Sequence, residues 1–214
     1  MVRKNFQRCL YGTRKSERKT RSFRIGNGGI DRRRRKKEKI KDSKYYVSTR
    51  KICYVALFTA LNIVMSSSIC SIPVPGGHLY LNDIVICLAA LVLDPLSAFI
   101  VGGVGAFFGD MLFYPTPMFV SLATHGLQAV AISLISGKKN ELAPLWKAIV
   151  AVAVGAIIMV TGYSLGRAFI YSTPEYAMIK LPFQILQASV GAVLGTVLLY
   201  ATPIKRYSGF IPKD

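Results

Sequence analysis

The 214-residue chain combines a hydrophobic fraction of 52% with a formal charge of +18, from 28 Lys/Arg against 10 Asp/Glu. The two values belong to different parts of it: residues 1–51 carry 20 Lys/Arg against 4 Asp/Glu, and residues 52–214 only 8 against 6. A basic arm, expected to be disordered over residues 1–49, therefore precedes a nearly uncharged apolar body, which excludes an ordinary soluble enzyme and points to an integral membrane protein.

The arm contains Arg32-Arg33-Arg34-Arg35-Lys36-Lys37, with Lys39 and Lys41 behind it. Such a run suits an anionic lipid leaflet, at about 1 kcal/mol per basic residue near the surface. No aromatic residues are interleaved in it, so no specific nucleic-acid partner is expected. The first apolar run begins near Ile52, too late for a secretory signal. Cys9, Cys53, Cys70 and Cys87 are scattered, and the chain has two His, so neither a metal site nor a disulfide framework is expected.

A helix that crosses the roughly 30 Å hydrocarbon core needs about 20 mainly apolar residues. In chain order the first run is 52–69, ended by Ser71-Ile72-Pro73-Val74-Pro75-Gly76-Gly77. A short second run, 84–93, stops at Asp94-Pro95; the third, 96–113, stops at Tyr114-Pro115-Thr116-Pro117. The fourth, 118–135, ends at Gly137-Lys138-Lys139; the fifth, 145–169, at Ser172-Thr173-Pro174-Glu175; the last, 181–201, at Thr202-Pro203. The fold expected is all-α: a six-transmembrane-helix bundle over 50–205 with a short tail, 206–214. Six spans return the tail to the side of the arm. Lys138, Lys139, Lys147, Lys205, Arg206 and Lys213 then share that side, which the positive-inside rule makes cytoplasmic. A multi-pass plasma-membrane protein with both termini in the cytoplasm is the expectation.

Small residues recur at four-residue spacing in Ala56/Ala60, Gly102/Ala106, Gly105/Gly109, Gly162/Gly166 and Gly191/Gly195, as helices packing in lipid require. Polar groups inside spans are expensive and normally face a cavity or a partner. Asp110, His125, Gln128, Arg167, Gln184 and Gln187 all fall in the outer halves of their spans, as if around one outward-facing pocket. Ser121 and His125 share a helix face, yet no GxSxG elbow, HExxH, paired Asp-rich motif or phosphate loop accompanies them, so no enzyme is expected. An intramembrane enzyme or an unrelated membrane scaffold is the alternative.

Three stretches resemble the substrate-binding (S) components of energy-coupling factor (ECF) vitamin transporters, over roughly 50–205. Ala56-Leu57-Phe58-Thr59-Ala60 is similar to the family's AxxxA first helix. Residues 72–83, Ile-Pro-Val-Pro-Gly-Gly-His-Leu-Tyr-Leu-Asn-Asp, resemble its Pro/Gly-rich first outer loop and the helix start behind it. Leu93-Asp94-Pro95-Leu96, Gly102-Gly103-Val104-Gly105 and Gly109-Asp110 resemble its third helix, with Asp94 where the family often has Gly. The resemblance implies capture of a water-soluble vitamin or precursor from outside and docking through Ala56 and Ala60 on an ECF module, a membrane scaffold subunit with two ATPases. It implies no cofactor. The substrate-binding residues it leads us to expect are His78, Tyr80, Asn82, Asp110, His125, Gln128, Tyr163, Arg167, Gln184 and Gln187. Their amides, imidazole and guanidinium suit a small polar ring such as pyridoxine or hydroxymethylpyrimidine.

Overall fold

The computed structural model describes residues 49–67, 71–75, 77–137 and 143–201. The expected arm up to residue 48 and the tail at 206–214 lie outside the described residues. The described elements are α1 (Thr49–Met65), a hairpin of β1 (Ser71–Val74) and β2 (Gly77–Tyr80), and α2 (Asn82–Val92). Then follow α3 (Pro95–Phe113), α4 (Met118–Ser136), α5 (Leu145–Tyr171) and α6 (Pro174–Ala201).

Helices α3 to α6 are long and apolar enough to cross a membrane. Six helices are present, as expected, but the 17 residues of α1 rise only about 26 Å and the 11 of α2 only about 17 Å, so four of the six are span-length and two are shorter. The hairpin is the physical reason. Ser71 lies opposite Tyr80 and Val74 opposite Gly77, so the residues that a longer second helix would need are spent on strands. The sequence pattern treats this stretch as a loop, because Pro73 cannot donate to a ladder. A two-stranded ribbon has outer edges where no donor is needed. Gly77 turns the chain at φ 127°, open to glycine at little cost.

The start of α6 is corrected from 181 to Pro174. Thr173 Oγ1 accepts from the Tyr176 amide at 3.4 Å, and Pro174 occupies the first helical position, where no N–H is missed. The polar stretch that looks like a loop is thus a helix cap, and Lys180 falls inside the helix. At the other end of the bundle Asp94 caps α3: its carboxylate accepts from the Ser97 amide at 3.3 Å and pairs with Lys51 on α1 at 2.9 Å.

Partial burial opposes ionisation of Asp94, but its bonds to Lys51 and Ser97 and the lysine's charge outweigh this and hold the carboxyl below its ordinary range. The carboxyl's stabilisation is therefore complete at neutral pH and fades only as acid protonates it, below about pH 4. Asp94→Ala is expected to cost about 1 kcal/mol, and Asp94→Asn, which keeps the cap, less. Thermal unfolding in detergent at pH 7 checks the order; equal losses would contradict the cap.

Packing follows the small residues. A Cβ on Gly105 would meet Asn62, and one on Gly109 would meet Ser66, both at the end of α1. Gly162 and Gly166 admit Thr124 and Val120 of α4, and Gly191 and Gly195 lie against Asp83 and Cys87 of α2. In α3, Ile100–Val104 form a π-helical turn, which interrupts the regular ladder. The Asn62 side chain donates into it, 2.6 Å from the Val101 carbonyl. Ala56 and Ala60 differ from the other small pairs in being exposed.

The surface is inverted relative to a water-soluble protein. Leu57, Leu96, Phe119, Phe169 and Met178 are exposed, whereas Asp83, His125, Gln128, Gln184 and Gln187 are buried. The apolar core, with Ile86, Leu91, Ile132, Val152 and Leu199, fills the half of the bundle where α2, α4 and α6 end and α5 begins. The opposite half, under the hairpin, is left for something else.

Candidate ligand-binding site

That half holds a cavity of about 230 Å³. Its wall is built from the hairpin (Gly77, His78, Tyr80), the start of α2 (Asn82), the end of α3 and its loop (Asp110, Tyr114, Pro117) and α4 (His125). The second half of α5 and the first half of α6 complete it with Met159, Tyr163, Arg167, Tyr171, Ser172, Tyr176, Lys180, Gln184 and Gln187. Among the ten binding residues expected from the sequence, all but Gln128 line this one cavity. Gln128 stands behind it, with its Oε1 2.7 Å from His125 Nδ1, and holds that ring.

Asp83 organises the floor. Its carboxylate accepts from Gln128 Nε2 at 3.0 Å and from Gln187 Nε2 at 2.7 Å, with His125 Nδ1 at 3.8 Å. Gln187 then passes the order outward, accepting from the Tyr80 amide at 3.1 Å. Lys180 Nζ donates to the His78 carbonyl at 2.7 Å. The hairpin is therefore fastened to α6 at two points, one on each side of Leu79, which is itself buried. Burial, with Asp110 and Tyr114 nearby, pushes the Tyr80 phenol up to about 12, so it stays a neutral hydrogen-bond donor at any physiological pH.

The Ser121 hydroxyl, one helical turn from His125, bonds to Asp110 and Tyr163, not to the imidazole. His125 packs edge-on against Tyr163, 5.2 Å between ring centroids. The arrangement supplies aromatic faces and fixed polar groups, which is binding chemistry. Several of those groups are buried with no partner: both amide atoms of Gln184, Asn82 Oδ1 and Arg167 Nη1.

Sequence reasoning missed Lys180, Tyr114, Tyr171, Tyr176 and the organising role of Asp83. The Thr173-Pro174 cap was the available signal for Lys180, because a helix starting there puts Lys180, Gln184 and Gln187 on one face. Tyr171 gave less warning. It shares a face with Arg167 through a π-helical turn over Arg167–Tyr171, with no sequence signature of its own.

A mainly helical protein with span-length apolar helices and a polar cavity under a hairpin belongs to the class of membrane-embedded small-molecule-binding proteins. A family described as "ECF-type riboflavin transporter, S component" matches residues 46–205. The chain belongs to this family, and so is an ECF-type S component, the substrate-binding subunit of a transporter and not an enzyme. A solved S component of a bacterial ECF transporter shares the fold at a TM-score of 0.59 and 18% identity, covering 73% of this chain and 96% of that one. An uncharacterised Pyrococcus woesei protein from the gap 3′ region is 29% identical over 140 residues, 64% of this chain and 92% of its own length.

Proposed function

We propose that this chain captures riboflavin from outside the cell and delivers it to an ECF module. The observation that carries the reading is the set of buried, unsatisfied polar groups, above all Gln184, inside a cavity walled by five tyrosines. Stranded donors and acceptors cost about 1–3 kcal/mol each. A flavin ring offers along one edge the alternating carbonyl and N–H groups that the carboxamides of Gln184 and Asn82 match. Its flat faces suit Tyr80, Tyr163 and Tyr171. The family description favours this larger ring over the pyridoxine or hydroxymethylpyrimidine type expected from the sequence.

The closed cavity is smaller than the ~300–1,000 Å³ usual for ligands of this size. Capture therefore includes opening of the hairpin, released from Gln187 and Lys180 and refastened over the ligand. The hairpin end faces outward, both termini are cytoplasmic, and α1 and α2 complete a six-helix membrane body with α3 to α6. Ala56 and Ala60 present the docking face to the scaffold subunit.

Quenching of flavin fluorescence on titration with the purified chain tests the site. Gln184→Ala is expected to weaken riboflavin binding by about tenfold to a hundredfold, the worth of one or two hydrogen bonds in a desolvated site. An unchanged affinity would remove Gln184 from the contact, and the ligand placement with it.

A further inference from the structure

We infer that the cavity holds an acidic group of its ligand, a phosphate monoester or a carboxylate, between Arg167 and Lys180. The inference rests on the capture of a flavin ring described above and narrows it to an anionic derivative.

Lys180 is only 3% exposed. One of its three N–H donors serves the His78 carbonyl, and that carbonyl brings no negative charge. Arg167 reaches the same cavity from the π-helical end of α5. Its Nη1 is buried with no hydrogen-bond partner, and its guanidinium lies 5.8 Å from the Tyr171 ring centroid.

Neither cation has a carboxylate within ion-pair distance among the described residues, where the close charged contacts are Lys51–Asp94 and His125–Asp83. The acids nearby are already engaged. Asp110, which lines the cavity, accepts from Ser121, and Asp83 accepts from Gln128 and Gln187. A buried lysine and a half-buried arginine that line one cavity with no paired carboxylate are costly.

An anionic group arriving from water offsets that cost. It forms charge-assisted hydrogen bonds roughly twice as strong as neutral ones. A cationic ring compound would meet repulsion, and a neutral one would leave both charges unanswered.

Riboflavin and riboflavin 5′-phosphate share the ring and differ by one phosphate ester, so they are the probes. The purified full chain, in nanodiscs of zwitterionic lipid, is titrated with each by fluorescence. The phosphate is expected to bind about tenfold tighter or more, with a preference that shrinks as salt is raised. In Lys180→Gln, which keeps an N–H for the His78 carbonyl, and in Arg167→Gln, the ratio of the two affinities is expected to collapse toward unity.

Riboflavin binding as tight as its phosphate in the wild-type chain overturns the anion subsite and leaves the ring reading standing. A ratio unmoved by both substitutions does the same. A preference for the phosphate that appears only in lipid-free detergent assigns the cations to a lipid headgroup and also overturns the inference. Binding of neither flavin overturns the riboflavin reading and the inference together.

Discussion

Asp83→Ala is expected to destabilise the folded body by about 2–6 kcal/mol, the largest effect of any single substitution considered. The carboxylate is 1% exposed and accepts from Gln128 and Gln187, which come from different helices. Its removal strands two buried amides, at about 1–3 kcal/mol each. It also frees Gln187, whose other end holds the Tyr80 amide, so the hairpin loses one of its two fastenings. Thermal unfolding in detergent should fall on the order of 10 °C. Asp83→Asn, which retains one acceptor oxygen, should lie between wild type and Ala. A wild-type unfolding temperature for Asp83→Ala would show that the network is decoration.

The second large effect concerns transport alone. Helices in lipid associate through close contact of small residues, because no hydrophobic drive pushes them together. The other small pairs are spent inside this bundle, on α1, α2 and α4, whereas Ala56 and Ala60 remain outside. The double variant Ala56→Trp and Ala60→Trp is therefore expected to abolish uptake in cells that carry an ECF module. Flavin binding by the purified variant should be retained, since neither residue lines the cavity. Uptake at the wild-type rate would exclude this face from docking, and loss of binding as well would mean that the tryptophans disturb the fold.

Much of this was legible from patterns that lipid enforces. Long apolar runs broken by Pro and Gly gave α3, α4 and α5 nearly to the residue, and Gly137 ends α4 in the left-handed conformation that glycine favours. Polar residues are costly within apolar spans, so His125, Arg167, Gln184 and Gln187 mark a cavity in the sequence itself. Two kinds of feature stayed hidden. The hairpin depends on pairing between residues that alone read as a proline-rich loop. The Asp83 network depends on which helices are neighbours, and spacing along one helix carries no information about that. Lys180 fell between these cases: its helix was visible, but the cap that extends the helix to Pro174 resembled a linker.

The central claim is that the cavity beneath the hairpin captures a flavin without help from ATPases. Native mass spectrometry of the full chain, purified alone and then mixed with riboflavin, measures this directly. The account predicts one flavin-mass adduct per chain, released on denaturation and weakened in Gln184→Ala. A folded chain that carries no flavin and takes up none at saturating riboflavin would contradict it.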